Sequence, residues 1–430
     1  MISFPEAIRL VMETAPTLGI ERVRLKDADG RFLARPIKAR LDMPRFDQSA
    51  MDGFAVKLAD VKGASPESPA ELTLDGDVPA GSRRRPRLRN GHTVKVFTGS
   101  VLPLGTEAVV MREFSKSHGD RVLLERGASP EENVRRRGEE YARGDLILDR
   151  GARIDPAVIG LLATSGHEEV PVFARPSVTL LTIGDELVPL GRKLGPSKIY
   201  NSNQHALTAA LKRVGVDRIR ARTLPDDPAV MRREMTRGLR ESDVLITAGG
   251  ASVGDYDFLR RVAAECGIKE GFRAIAVKPG KPNFFGTWRP PREAAGRART
   301  GGGSRSGARA GSRDAGTRLV FGLPGNSVSA LVSFHQLVRP GLLKMMGLSE
   351  LDEPKLSAEL TDECHKKPGR MELVRGRLET AGGRLLVRPT KRQGSHMMGG
   401  LAAADCLIIF PRDKKQIMKG EHVEVKPLAW

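Results

Sequence analysis

Acidic side chains follow two apolar segments in the middle of this chain, where an α/β sheet would present a ligand site. Asp185 and Glu186 follow residues 177–183 after a single glycine, and Asp257 follows residues 244–247 across a glycine-rich loop. In a parallel sheet such positions lie at the carboxyl ends of the strands, where ligands bind. Carboxylates there can hold a Mg²⁺ ion that bridges to phosphate oxygens, or they can simply be stabilised by a helix N-terminus.

Two further aspartates favour the metal interpretation. Asp226 and Asp227 follow another predicted strand of the same sheet, although Asp227 also has the position of a helix cap. Glycines add a second signal, because Gly249 and Gly250 let the backbone approach a ligand closely, and Ser252 adds a hydroxyl donor. The N–H groups of this loop suit an oxyanion, and an ordinary glycine turn is the alternative.

Lysines and arginines supply the positive charge that an anionic ligand needs. Lys278 and Lys281 flank a Pro-Gly pair, and this stiff loop reduces the entropy lost when both ammonium groups bind one anion. Solvated loop lysines are the alternative. Arg135 opens a run of three arginines that forms either a pocket rim or a solvated face. The segment around Pro324 is expected to form a turn that is capped by Asn326 and shapes the pocket wall. These residues together indicate an enzyme for an anionic, phosphate-bearing ligand.

Alternating strands and helices in residues 176–346 must position these groups. Apolar runs predict strands at 177–183, 218–222, 244–247, 274–277 and 319–321. Caps and periodicity predict helices at 203–214, 227–239, 258–266 and 326–337. Repeated β-α-β units imply a parallel sheet that is covered by helices on both faces.

The predicted fold class is α/β multidomain, in which a central parallel α/β domain is joined by a β-rich inserted domain and a small C-terminal β-barrel. The predicted boundaries are 1–45 with 133–175 for an N-terminal mixed domain, 46–132 for the inserted domain, 176–346 for the α/β catalytic domain and 347–430 for the barrel. Ser3 with Glu6 predicts a capping box at the first helix. The Arg/Gly-rich segment 289–318 is too poor in apolar residues to offset its ordering entropy, so we expect a disordered surface loop there.

Composition argues against several classes of function. The 430 residues carry a net charge of +19, part of which comes from the eight arginines of segment 289–318. Aromatic residues are only 4% of the chain and are not interleaved with arginine, so we expect no nucleic-acid partner. No run approaches the ~18 apolar residues of a membrane span, and the N-terminus lacks a secretion signal. Three scattered cysteines suit a reducing compartment, and we expect a cytoplasmic protein without a membrane partner.

Seven short segments together carry a resemblance to a known family. They are residues 46–55, Thr98-Gly99, Arg135-Arg136-Arg137-Gly138-Glu139, Gly184-Asp185-Glu186-Leu187, residues 249–254, Lys278-Pro279-Gly280-Lys281-Pro282 and Gly322-Leu323-Pro324-Gly325-Asn326. In this order and combination they resemble the molybdopterin molybdenumtransferase, or MoeA, family, which includes the gephyrin E domain. The resemblance covers nearly the whole chain apart from residues 289–318.

The resemblance implies an elongated four-domain subunit in a homodimer, with a MogA-like central domain and an active cleft built by both chains. It implies insertion of molybdate into the dithiolene of adenylylated molybdopterin, with release of AMP, formation of molybdenum cofactor and assistance from Mg²⁺. It also implies a MogA-like molybdopterin adenylyltransferase as the upstream partner.

Roles follow residue by residue from the family's motifs. The implied catalytic residues are Asp52, Glu186, Asp226 (or Asp227), Asp257, Lys278 and Lys281. Among these, the implied metal ligands are Glu186, Asp226 and Asp257. The implied residues that bind the substrate are Thr98, Arg135, Glu140, Gly249, Gly250, Ser252, Pro324, Arg375 and Ser395.

The chain departs from the family pattern at three places. Ala274 stands where a lysine is usual, Ser327 replaces the proline after Asn326, and Gly399-Gly400 stand where serines are common. The missing lysine leaves open a paralogue that inserts tungstate. A receptor-anchoring scaffold of the same fold is the alternative from a different class, and the intact carboxylates and lysines disfavour it. An adenylyltransferase of the MogA class would be a single small domain with Gly-Gly-Thr-Gly where this chain has Gly-Gly-Ala-Ser.

Overall fold

The computed structural model describes residues 1–249, 256–291, 316–348 and 356–428, and only the backbone of Tyr256 and Asp257. The chain forms two compact units. The larger unit consists of Met1–Arg22, Gly30–Ala34 and Pro171–Trp430, and the smaller unit consists of Val23–Asp29 and Arg35–Val170. The four-domain division stays a prediction.

A six-stranded sheet forms the centre of the larger unit. Its strands are β1 (Val178–Ile183), β2 (Ile219–Leu224), β3 (Val244–Gly249), β4 (Lys269–Ala274), β5 (Pro282–Trp288) and β6 (Arg318–Leu323). They lie in the order β2-β1-β3-β6-β5-β4. The first four in this order run parallel, while β5 runs antiparallel to both of its neighbours. Every residue of β1, β3 and β6 is buried, as expected for parallel strands that are covered on both faces.

Helices cover both faces of this sheet, as predicted. They are α1 (Phe4–Thr14), α2 (Ser202–Arg213), α3 (Pro228–Glu241), α4 (Tyr256–Glu265), α5 (Ser327–Ser333) and α6 (Arg339–Met345), with a π-helical turn at Phe334–Val338. Leu180 and Ile246 pack in the same core cluster as α1, α2, α5 and α6, whereas Leu181 and Leu245 pack with α3 and α4. Side chains of adjacent strand residues point to opposite faces, and each buried leucine or isoleucine contributes about 1.5–3 kcal/mol.

Two local predictions in this sheet are wrong. The expected strand 274–277 is absent from the described sheet, because β4 ends at Ala274 and Val277–Lys278 pairs instead with Met371 and Glu372. The sequence patterns also omit β5. The link from β4 to β5 is too short for a parallel crossover, which needs a dozen or more residues, so this edge of the sheet is antiparallel.

The predicted disordered loop overlaps the described residues only at its two ends. Residues 292–315 of segment 289–318 lie outside the described residues. Its last residue is wrongly assigned, because Arg318 begins β6 and is buried with its Nη1 atom 2.7 Å from Oδ1 of Asp243.

Helix caps follow the sequence at most of the predicted positions. The hydroxyl of Ser3 accepts a hydrogen bond from the backbone N–H of Glu6, which confirms the capping box at α1. Asp227 caps α3 by accepting from two backbone N–H groups. Asn326 precedes α5, but its side chain does not cap that helix, and the helical run expected to reach residue 337 changes to π-helical geometry at Phe334.

Five strands near the C-terminus form the predicted closed barrel. They are β7 (Leu356–Leu360), β8 (Met371–Ala381), β9 (Arg384–Pro389), β10 (Cys406–Phe410) and β11 (His422–Pro427). Pairing runs β8-β9-β7-β11-β10 and closes between β10 and β8. Val387, Ile408 and Phe410 are among the residues that fill its interior.

The smaller unit is built on a second six-stranded sheet. Across the sheet its strands are Ala108–Met111, Gly53–Val56, His92–Val96, Ala70–Val78, Arg121–Leu124 and Ser115–His118. The unit also contains the helix Pro156–Thr164, which Asp155 caps by accepting from the backbone N–H of Val158. Across the described part of the chain, no helix is long and apolar enough to span a membrane.

Candidate functional site

A pocket of about 360 Å³ lies at the carboxyl ends of the parallel strands in the larger unit. Ile183 ends β1, Gly249 ends β3, and both line the pocket. Asp226 lines it from the segment after β2, and Asn326 lines it from the turn after β6. The predicted ligand edge of the sheet therefore carries a cavity that is lined by the ends of β1 and β3 and by the segments that follow β2 and β6.

The two acidic loops hold each other in place. The backbone N–H of Asp185 donates to Oδ2 of Asp226 at 3.1 Å, and the backbone N–H of Asp226 donates to Oδ1 of Asp185 at 3.3 Å. This exchange joins the ends of β1 and β2. It uses Asp185 as a structural group, whereas Asp226 also faces the pocket.

Glu186 folds back over the end of β1. A Cβ atom added to Gly184 would lie 2.4 Å from Oε2 of Glu186, so only glycine leaves room for the carboxylate there. Both Gly184 and Glu186 line the pocket. The structure thus brings together two of the three predicted metal ligands, Glu186 and Asp226, and gives Gly184 a spatial role.

The third predicted ligand cannot be placed. Asp257 belongs to the first turn of α4, but its side chain lies outside the described residues. Among the side chains that are described, no three from His, Cys, Asp and Glu come together as a metal site. The carboxylate oxygens of Glu186 and Asp226 are the hard donors that Mg²⁺ prefers, so the residues present fit this ion. The Mg²⁺ site stays a prediction.

Gly249 lies where the predicted close backbone approach occurs. Its φ is +93°, and an added Cβ atom would lie 2.2 Å from the carbonyl oxygen of Ile183. Glycine is therefore required at the end of β3. Gly250 and Ser252, which were expected to continue this anion-binding loop, lie outside the described residues.

Asn201 and Asn203 line the pocket, and the sequence singles out their segment, Asn201-Ser202-Asn203, without assigning a role to either asparagine. Buried Asn201 donates from Nδ2 to the hydroxyls of Thr182, at 2.7 Å, and Thr223, at 2.8 Å, and it caps α2. Asn203 donates to the carbonyl of Gly325 at 2.6 Å. Its Oδ1 atom is buried without a hydrogen-bond partner among the described residues. The signal in the sequence for these polar contacts is the Asn-Ser-Asn segment at the start of a helix.

The lysine loop is built on a buried polar contact. Asn283 donates from Nδ2 to the carbonyl of Gly280 and to the hydroxyl of Ser333, the latter at 2.9 Å. Gly280 has a φ of +99°, and an added Cβ atom would lie 2.7 Å from that hydroxyl. Lys278 and Lys281 at the two sides of this loop are exposed, and neither lines the pocket described above.

Arg375 belongs to the barrel strand β8, Ser395 lies in the segment between β9 and β10, and neither residue lines the pocket itself. Asn326, which lines the pocket, donates from Nδ2 to the hydroxyl of Ser395 at 3.2 Å. Pro324, which lies two residues before Asn326, is buried. Arg375 is fully buried and donates from Nη2 to the carbonyl of Arg392 at 2.7 Å. Its Nε and Nη1 atoms have no partner among the described residues, and burial lowers the pKa of this guanidinium. Unused N–H donors on a buried cation favour the predicted anion-binding role.

Asp52 and Thr98 contact each other in the smaller unit. Oδ1 of Asp52 accepts from the backbone N–H of Thr98 at 2.8 Å and from its hydroxyl at 2.9 Å. These two hydrogen bonds, with weaker attraction from Arg112 and Lys95, lower the pKa of Asp52. Two motifs that are 46 residues apart in the sequence are therefore in contact through these hydrogen bonds.

The arginine run in the smaller unit is divided in its roles. Exposed Arg135 lies opposite Gln48 in a short antiparallel pair, whereas Arg136 and Arg137 are ion-paired with carboxylates. Glu140 is exposed and is held through its backbone N–H. Whether these residues join the pocket of the larger unit stays a prediction.

Comparison with known proteins covers the chain in three parts. Residues 2–166 match the family described as the MoeA N-terminal region (domain I and II), residues 179–344 match a probable molybdopterin binding domain, and residues 357–428 match the MoeA C-terminal region (domain IV).

Individual relatives are similar over their full length. A molybdopterin molybdenumtransferase from Nostoc sp. is 32% identical over 436 residues, which cover 100% of this chain and 94% of the relative. Molybdopterin molybdenumtransferase 2 from Mycobacterium tuberculosis is 33% identical over 434 residues and is covered completely in both chains. The crystal structure of a molybdopterin biosynthesis MoeA protein from Pyrococcus horikoshii superimposes with a TM-score of 0.79 at 26% identity, covering 99% of this chain and 100% of that one.

Proposed function

Because this chain belongs to the MoeA family of molybdopterin molybdenumtransferases, we propose that it is a transferase that inserts molybdenum into molybdopterin during molybdenum cofactor biosynthesis. The observation that carries this proposal is the similarity to transferases of that name along the whole length of the chain. The pocket at the strand ends supports it, because Glu186 and Asp226, two of the carboxylates expected from the family motifs, line one cavity there.

The reacting species are proposed to be molybdate and adenylylated molybdopterin, with AMP as the released product. Molybdate is a dianion, and the pyrophosphate link of the adenylylated pterin is also negatively charged. Their approach therefore requires cationic screening, which Lys278, Lys281 and the unused N–H donors of Arg375 would provide. Water attack on the pyrophosphate link needs no covalent nucleophile.

Neutral groups in the pocket are proposed to orient the substrate. Asn203 presents an unpartnered carbonyl oxygen, and the backbone N–H groups at the start of α2 suit an anionic group. Gly249 lets the ligand approach the backbone. Glu186, Asp226 and Asp257 would hold Mg²⁺, which supplies Lewis-acid polarisation of the phosphate oxygens when it is bound.

Assembly and context complete the proposal. We propose a homodimer whose active cleft is built by both chains. A MogA-like adenylyltransferase is the proposed upstream partner, since adenylyl transfer to molybdopterin must supply the substrate. A cytoplasmic location and the absence of nucleic-acid and membrane partners stay predictions.

The test is AMP release from adenylylated molybdopterin by the purified protein with Mg²⁺ and either molybdate or tungstate. The proposal expects AMP with molybdate. Faster release with tungstate would instead support the tungstate paralogue, for which Ala274 in place of the usual lysine is the motivating observation. No release with either oxyanion, from a folded protein, would contradict both and favour the scaffold.

A further inference from the structure

Lys278, an exposed residue of the lysine loop, already has an ion-pair partner within the chain. Nζ of Lys278 lies 3.1 Å from both Oε1 and Oε2 of Glu372. The two residues are directly opposite each other where Val277–Lys278 pairs in parallel with the start of β8. The position of the carboxylate is therefore set by backbone pairing, in addition to the attraction between the charges.

The two partners differ in their freedom to move. The Lys278 side chain is 54% exposed, so an incoming anion can reach its ammonium group from solvent. The Glu372 side chain is only 16% exposed, and its backbone belongs to a strand of the closed barrel. An anion that binds Lys278 must therefore share the ammonium group with a carboxylate that stays beside it.

We infer that Glu372 is a built-in counter-ion that limits the affinity of Lys278 for oxyanions and so sets how readily molybdate leaves this lysine. The inference rests on the proposed function, in which Lys278 binds the anionic substrate. A transferase must pass molybdate on to the pterin, and tight binding of the free oxyanion does not accelerate that step. A fixed negative charge beside the lysine keeps the oxyanion from binding too tightly to be passed on.

Charge arithmetic gives this role a specific signature. The repulsion between Glu372 and a bound oxyanion scales with the charge of the oxyanion. Removing the carboxylate therefore improves the binding of a dianion more than that of a monoanion with the same shape. Molybdate and perrhenate form such a pair, because both are tetrahedral tetraoxo anions with charges of −2 and −1.

The experiment is calorimetric titration of the full-length protein with molybdate and with perrhenate, at low ionic strength, in the wild type and in Glu372→Gln. Glutamine keeps the size and one oxygen acceptor but removes the charge. We expect molybdate to bind about 2- to 5-fold more tightly, from the usual strength of partly exposed ion pairs, and perrhenate to gain less. High salt should reduce both gains, because exposed charges are screened.

Matched variants separate this role from a structural one. Glu379→Gln removes a carboxylate from the same strand β8, where it pairs with Arg388 at 3.5 Å, and it should leave molybdate affinity unchanged. In the Lys278→Ala background, Glu372→Gln should give no gain. Glu372→Asp, which keeps the charge, should bind molybdate more weakly than Glu372→Gln, and Glu372→Ala supplies the neutral side chain if the glutamine variant fails to fold.

Two results would overturn the inference in different ways. If Lys278→Ala weakens molybdate binding but Glu372→Gln leaves it unchanged or weaker, Glu372 only positions the lysine, and the proposed function stands. If Lys278→Ala leaves binding unchanged, Lys278 does not bind the oxyanion, and the residue assignment under the proposed function fails together with the inference.

Discussion

Two glycines at neighbouring strand ends should lose different properties on the same substitution to alanine. Gly184→Ala places a Cβ atom 2.4 Å from the end of the Glu186 side chain, which can rotate away. Gly249→Ala places a Cβ atom 2.2 Å from the carbonyl oxygen of Ile183, which belongs to the backbone of β1 and cannot. Gly184→Ala should therefore displace a site carboxylate, and Gly249→Ala should destabilise the sheet.

The magnitudes follow from these contacts. Alanine at a positive φ costs about 1–3 kcal/mol, and Gly184 has a φ of +154°. Gly249 has a φ of +93°, and the backbone clash adds overpacking of about 1–3 kcal/mol, for a total of about 2–6 kcal/mol. Moving Glu186 by about 1 Å is expected to lower turnover by up to ~10²-fold, because reacting groups tolerate little misplacement.

Thermal unfolding and AMP release on the same preparations make the comparison. Gly184→Ala should lose most of its turnover with a small fall in melting temperature, and Gly249→Ala should show the larger fall in melting temperature. The reasoning is refuted if Gly184→Ala turns over like the wild type, because the position of Glu186 would then be unimportant to the reaction.

Three further predictions concern substitutions of single residues. Asn201→Ala should lower the free energy of unfolding by about 2–4 kcal/mol in denaturant titration, since it removes a helix cap and two buried hydrogen bonds, and a loss below 1 kcal/mol would contradict this. Thr98→Val removes a donor that lowers the pKa of Asp52, so that pKa should rise when measured by NMR. The folded-state pKa of Asp52 is lower than its unfolded-state pKa, so this carboxylate stabilises the folded protein at pH values above the unfolded pKa. The stabilisation is lost as the pH falls through the folded-state pKa. The variant should therefore be less stable than the wild type at neutral pH and equally stable in acid. Asp257→Ala and Lys278→Ala should each abolish AMP release while light scattering still shows a dimer, and normal turnover in both would remove them from the site.

Local patterns in the sequence were sufficient for the elements whose partners are close in the chain. The apolar runs at 177–183 and 244–247 predict buried strands, and both strands are completely buried. The caps at Ser3 and Asp227 are confirmed, because each depends on backbone N–H groups within three residues. Hydrophobic period and cap chemistry act over one or two turns, so a single sequence carries them.

Predictions were wrong or missing where a distant partner decides the outcome. Asn326 has the residue type of a helix cap, but its side chain binds Ser395, which is 69 residues away in the barrel. The apolar run at residues 274–277 predicts one strand of the central sheet, but Val277–Lys278 pairs instead with the start of β8. The ion pair between Lys278 and Glu372 depends on the same register, and no local pattern reveals it.

The candidate site shows the same division. Family motifs identify Glu186 and Asp226, and the structure brings them to one pocket. The sequence alone assigns Asn203 no role, because the burial of its oxygen without a partner among the described residues depends on packing of the turn that contains Gly325 against α2. The burial of Arg375 is likewise a property of the folded chain, because the segment after β9 covers this side chain and its carbonyls of Arg392 and Gly394 accept from the guanidinium, whereas the sequence shows only an arginine within a strand.

The most direct test of the central claim is the molybdenum content of the pterin product, measured by mass spectrometry beside AMP release in the same reaction. With molybdate and Mg²⁺, we predict about one molybdenum atom on the pterin dithiolene for each AMP released by the wild type, and neither product from a folded Glu186→Ala variant. AMP release without molybdenum on the pterin, or equal yields from the two proteins, would contradict the account.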